Sequence, residues 1–128
     1  CRSLGAPGVV LHGFVDDVIP HLQAADLFVS ASRSEGMPLA VLEALSCGLP
    51  ALLSAIAPHE DVAGLLADQG CVECFDAADE GAMRRALAAA LDGAGPARPA
   101  DVSALSSAVM ARRYAQAYRA LARRGGGA

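Results

Sequence analysis

Residues 32–48 read SRSEGMPLAVLEALSCG, and the fold follows from how this stretch is parsed. Its first part is polar, carries Gly36 and reads as a loop. From Pro38 the pattern predicts a helix over residues 38–47, with Pro38 at the first helical position and Gly48 just past the end. The run before it, LFVSA at 27–31, is short and apolar, and so is PALLS at 50–54. Both read as strands. Two strands joined through a helix in so few residues form a parallel βαβ unit.

The same rhythm continues outward. VVLHGFV at 9–15 is a β-branched and aromatic run after Gly8, and it predicts a further strand. Asp16 and Asp17 stand where an N-cap belongs, ahead of a helix over 18–25. Downstream, Pro58 opens a helix over 59–66, GCVECF at 70–75 reads as a weaker strand, and Asp79 caps a helix over 80–91. GAGPARPAD at 93–101 is a turn-rich linker, and 102–124 is a final helical region before a frayed tail. Alternating strands and helices predict the α/β class: a Rossmann-like parallel sheet with helices on both faces. The expected domain organisation is a nucleotide-binding part at 1–92, a linker at 93–101 and a helical region at 102–128. In such sheets ligands sit beyond the carboxyl ends of the strands. The places to search are therefore residues 15–17, 32–39 and 54–60.

Composition narrows the function classes. The 128 residues are 54% hydrophobic and 19% charged, with mean hydropathy +0.37, which suits one soluble globular domain. A net charge of −4 and a pI near 5.2 argue against a nucleic-acid binder working through a basic surface. No apolar run approaches the ~18 residues that span a bilayer, and no secretory signal follows Cys1. All ten cations are arginine, and only Arg2 and Arg33 precede Arg84. The four cysteines fit a reducing compartment; Cys71 and Cys74 have metal or redox spacing but no second pair, and an extended segment would turn them to opposite faces. No D-x-D triplet occurs. His12 reads as a strand residue and His21 and His59 as surface helix residues. Tyr114, Tyr118 and Leu121 form one apolar face of the last helix. The arginines beside them read as a solvated face, with contact to anionic lipid as the second reading.

The loop and helix at 32–48 carry the chemistry. The amides of Leu39 and Ala40, in the first helical turn, are expected to be unpaired, and with the helix dipole they suit a phosphate. Glu43 lies on the same face and leans back toward that end. A carboxylate repels a phosphate but accepts two hydroxyls, as a ribose diol offers. Glu35 sits in the loop beside Gly36, where backbone can approach a ligand. By spacing alone, one E-x7-E pair also describes two solvated side chains.

The wider sequence resembles a known family. VVLHGFVDD, ADLFVSAS, SEGMPLAVLEALSCGLPALLSA, PHEDV and the Gly70 strand occur in the order found in the C-terminal, donor-binding half of retaining GT-B glycosyltransferases of family 4 (glycosyl transferases group 1). The resemblance runs from Gly8 to about Phe75. It implies transfer of a sugar from a nucleotide-sugar donor to a glycan, lipid or small-molecule acceptor, with retained configuration, no metal and no other cofactor. It assigns Glu35 to the donor sugar's hydroxyls as the catalytic carboxylate, and Gly36 and Met37 to backbone contacts with that sugar. Leu39 and Ala40 would bind the diphosphate, Glu43 the ribose, and Val15 and Asp17 the nucleobase. Pro20 stands where some relatives carry a base-contacting lysine. Glu60 matches a frequent family acid, and a first-turn helix charge accounts for it equally well.

Family members also carry an N-terminal acceptor domain and two further strand–helix units with a basic clamp on the phosphates. The expectation is a segment of a longer enzyme, inactive alone, working in the cytoplasm or at the inner face of the membrane. Two alternatives stay open: a GT-B-fold sugar-nucleotide epimerase, and a non-catalytic Rossmann-like interaction domain.

Overall fold

A computed structural model describes residues 7–93 and 98–125, with side chains of the last helix as far as Arg123. Its elements in chain order are α1 (Ile19–Gln23), β1 (Phe28–Ser30), α2 (Leu39–Ser46), β2 (Ala51–Ser54), α3 (Ala57–Leu65), β3 (Val72–Phe75), α4 (Glu80–Asp92) and α5 (Ser107–Gly125). The three strands form one parallel sheet in the order β1-β2-β3. Helices α2 and α3 make the crossovers, so the arrangement is α/β and Rossmann-like.

The register explains the core. Ala51 pairs with Val72 and Leu53 with Cys74, so these four side chains share one face of the sheet. Val41 and Leu45 of α2 and Val62 of α3 cover that face, joined by Leu66. On the alternate face, Leu52 and Phe75 are also buried, and α4 contacts the same two strands. A strand buried on both faces is continuously apolar rather than alternating, which is why PALLS reads as it does. Cys71 and Cys74 both pack against the α2–α3 cluster. The expectation of opposite faces fails because Cys71 lies in the turn ahead of β3 rather than within it.

The helix ends follow from local chemistry. Asp79 caps α4, its carboxylate accepting from Ala82 N at 3.1 Å. At the end of α2, Gly48 N donates to Leu45 O and Leu49 N to Ala44 O, both at 3.1 Å. This is a Schellman closure, with Ala44 and Leu49 in apolar contact beside Leu22. Gly48 has φ +90°, and a Cβ there would stand 3.1 Å from the backbone nitrogens of both Arg98 and Pro99. Ala100 N donates to Leu45 O at 3.0 Å, so the described end of the expected linker lies against this corner.

Three expectations about elements need correction. Residues 9–15 form no strand; Val9, Val10, Leu11 and Phe14 are exposed, Phe14 to 92%. Strand backbone needs a paired neighbour, and none of the described strands pairs with this segment. Pro38 is the N-cap of α2 rather than its first helical residue: at ψ +70° it lies outside the helical region, and the helix starts at Leu39. The helix expected over 18–25 shrinks to α1, whose N-cap is Val18 rather than Asp16 or Asp17; Asp17, one residue earlier, accepts from Ile19 N at 3.1 Å.

Candidate functional site

β1 and β2 run parallel, so Ser30 and Ser54 end at the same edge of the sheet. The loop from β1 to α2 passes over that edge. Three serines tie it down. Ser54 Oγ donates to the carbonyl of Ser32 at 2.6 Å. Ser32 Oγ donates to Glu35 Oε1 at 2.6 Å, and Ser30 Oγ donates to Ser32 Oγ at 3.2 Å. Glu35 is half-buried, and its other oxygen, Oε2, has no hydrogen-bond partner among the described residues. One side of the carboxylate is anchored and the other is open to accept a hydroxyl.

The start of α2 differs from the expectation in one amide. Leu39 N donates to Met37 O at 2.8 Å, so this group is already paired. Pro38 accepts from Val41 at 3.1 Å and from Leu42 at 3.3 Å. Ala40 N has no acceptor among the described residues. It is the open donor at a helix end that carries positive partial charge. Glu43 lies on the exposed side of α2, one helical turn beyond Leu39 and Ala40. Gly36 and Met37 are exposed on the loop. Met37 also borders an apolar groove of about 350 Å³ formed with Leu105, Met110, Arg113 and Tyr114.

Val15 is half-buried and Asp17 exposed. The Asp17 carboxylate is used at the start of α1, and no hydrogen bond links either residue to the loop. Glu60 is exposed in the first turn of α3. A cavity of about 800 Å³ lies at the amino ends of β2 and β3 between Pro50, Gly70, Cys71 and Arg98. That is the end opposite the anchored loop. Among the described residues no three His, Cys, Asp or Glu side chains converge as a metal site, and no helix is long and apolar enough to cross a membrane.

His59 is the residue the sequence reading misplaced. It is fully buried, where a surface position was expected. Its Nδ1 lies 3.2 Å from Ser54 Oγ and 3.0 Å from Ser54 O. The signal was present: His59, Val62 and Leu66 fall at i, i+3 and i+7, the buried stripe of a helix. Ser32 and Ser54, within the segments to search but given no role by the sequence, stand at or just beyond a strand's carboxyl end. Burial raises the Cys71 and Cys74 thiols above their ordinary range, and Glu60 and Glu73 push Cys74 further in the same direction.

Comparison with known proteins identifies relatives and a family. Over 48 residues the chain is 50% identical to UDP-Gal:alpha-D-GlcNAc-diphosphoundecaprenol alpha-1,3-galactosyltransferase of Escherichia coli, covering 38% of this chain and 12% of that protein. Over 70 residues it is 41% identical to O-antigen chain mannosyltransferase B of Escherichia coli, covering 51% of this chain and 18% of that protein. The matches therefore span less than a fifth of either relative. No solved structure matches significantly. The glycosyl transferases group 1 family matches residues 1–92, well over half the chain and every element from α1 to α4. With a Rossmann-like sheet and an anchored acidic loop at its carboxyl edge, the chain belongs to the glycosyl transferases group 1 family.

Proposed function

We propose that the protein carrying this chain transfers a sugar from a nucleotide-sugar donor to an acceptor with retention of configuration, and that these residues form the donor site. The observation that carries this reading is the anchored Glu35, with one oxygen held by Ser32 and the other open, just ahead of a helix start with an open amide. Glu35 is the carboxylate for the donor sugar's hydroxyls, with Gly36 and Met37 offering backbone beside it. Ala40 N, and Leu39 N once it leaves the Met37 carbonyl, bind the diphosphate. Glu43 accepts the ribose hydroxyls, and Val15 and Asp17 meet the nucleobase. The reading gives the phosphates to helix amides and calls for no metal. One relative is named for an acceptor carried on diphosphoundecaprenol, so a lipid-linked saccharide is the first acceptor class to try.

Calorimetry with a panel of nucleotide sugars tests the reading. One donor should bind, and Glu43→Gln should weaken the free nucleoside diphosphate about ten- to hundredfold, the equivalent of roughly 1.5–3 kcal/mol for a charge-assisted hydrogen bond. Glu35→Gln should lower turnover and leave diphosphate affinity nearly unchanged. Binding of no nucleotide sugar would support an interaction domain instead, and conversion of the bound sugar to its epimer without release of nucleoside diphosphate would support an epimerase.

A further inference from the structure

We infer that His59, buried beneath the loop, is a positioning residue that holds Glu35 in its donor-binding geometry through Ser54 and Ser32. The inference rests on the donor-site reading above, and adds a residue that touches no ligand. The proton inventory fixes the direction of each link. A serine hydroxyl has one proton, and Ser54 donates its own to the Ser32 carbonyl at 2.6 Å. Ser54 Oγ therefore accepts from His59 Nδ1, and the Ser54 carbonyl, 3.0 Å from the same nitrogen, can only accept. Both contacts require the proton on Nδ1. His59 is thus the Nδ1–H tautomer, and its N–H orients the Ser54 hydroxyl toward the loop. Ser32, held by its carbonyl, in turn donates its hydroxyl to Glu35 Oε1.

A second observation argues against mere core filling. His59 Nε2 is buried with no hydrogen-bond partner among the described residues. A polar atom stranded in the core is unfavourable, and a leucine would fill the same space without stranding one. What an imidazole supplies here, and leucine does not, is the Nδ1–H beneath Ser54. The relay also joins elements that are distant in the chain, since Ser54 and Ser32 are 22 residues apart.

The two roles predict opposite rankings of variants. In the natural protein that carries these residues, His59→Leu should lower turnover per folded molecule by about ten- to hundredfold, the scale of a ~1 Å misplacement. Its affinity for free nucleoside diphosphate should stay within about threefold. His59→Asn keeps an N–H donor near the Nδ1 position and should recover most of the loss, whereas His59→Gln carries its donor one atom further and should not. Ser54→Ala should resemble His59→Leu. Core filling predicts the reverse: leucine tolerated and asparagine harmful. Imidazole 15N spectra and amide exchange of residues 34–36 supply a readout independent of activity. Nδ1 should be protonated, and loop exchange should accelerate in His59→Leu and Ser54→Ala but not in His59→Asn. A protonated Nε2 with bare Nδ1, or a loop indifferent to both variants, overturns the relay even where nucleotide sugar binds. Failure of every nucleotide sugar to bind wild type overturns the donor-site reading, and the spectra then still decide the relay.

Discussion

Two apolar runs, VVLHGFV at 9–15 and PALLS at 50–54, have opposite fates. The first is richer in β-branched and aromatic residues and is the better strand by intrinsic preference. It nevertheless forms no strand and leaves Phe14 92% exposed. The second becomes the central strand β2, with Leu52 and Leu53 fully buried. The difference lies in their partners. PALLS sits between a helix closed by a Schellman turn and a helix with Pro58 in its first turn, which deliver it between β1 and β3 with both sets of backbone groups paired. Nothing among the described residues does this for 9–15. Strand propensity measures fit to a pleated neighbour more than a backbone habit.

The largest test of that contrast is Leu53→Ala. It deletes buried volume between α2 and α3 and should destabilise by about 2–5 kcal/mol, read by chemical denaturation. A loss below about 1 kcal/mol would mean that β2 is not the core strand. Gly48→Ala acts on the corner that aims PALLS into the sheet. Its φ of +90° and the Arg98 and Pro99 nitrogens at 3.1 Å should make the substitution destabilising by about 1–3 kcal/mol. An unchanged midpoint would show that the corner is not needed.

Smaller effects sharpen the contrast. Cys74, on the β3 strand beside Leu53, has a thiol pushed up by burial and by Glu60 and Glu73. At pH 8 it should be alkylated by iodoacetamide more slowly than a free cysteine peptide, because less of it is thiolate. The gap should close as pH rises past the raised value. The sign for stability is the same: burial favours the neutral thiol, so its contribution is complete below the ordinary thiol pKa and fades as pH climbs through the raised one. Equal alkylation rates at pH 8 would place Cys74 outside the core. Phe14→Ser should change stability by less than about 0.5 kcal/mol, while reducing self-association in sedimentation, since it removes an exposed apolar side chain. A destabilisation of several kcal/mol would show that 9–15 is packed after all.

Much of the molecule was legible before any coordinates. α2, α3 and α4 could be read from proline, glycine and Asp79 at their ends and from apolar spacing between, because helix signals are local. Residues 27–31, 50–54 and 70–75 could be read as strands from short apolar runs flanked by turn residues. The positions of Glu35 in the loop between β1 and α2 and of Glu43 on α2 could be read from motif order. His59 is polar by chemistry, and only the i, i+3, i+7 stripe it shares with Val62 and Leu66 marks it as buried. Leu39's pairing to Met37 was missed because a three-residue turn before a helix leaves no sequence signature.

The sequence by itself determined the α/β class, the alternation of elements, the Asp79 cap, the Gly48 helix end and the acidic loop at a strand's carboxyl end. Each depends on residues within one turn or one strand of each other. Tertiary structure alone decided which apolar runs became strands, because β pairing is an agreement between distant segments. It also decided that Ser54 reaches back across 22 residues to Ser32, that Ser32 pins Glu35, and that His59 lies buried beneath them. Those contacts form where β1 and β2 lie side by side and α3 packs at their ends, since a hydrogen bond needs its partners within about 3 Å.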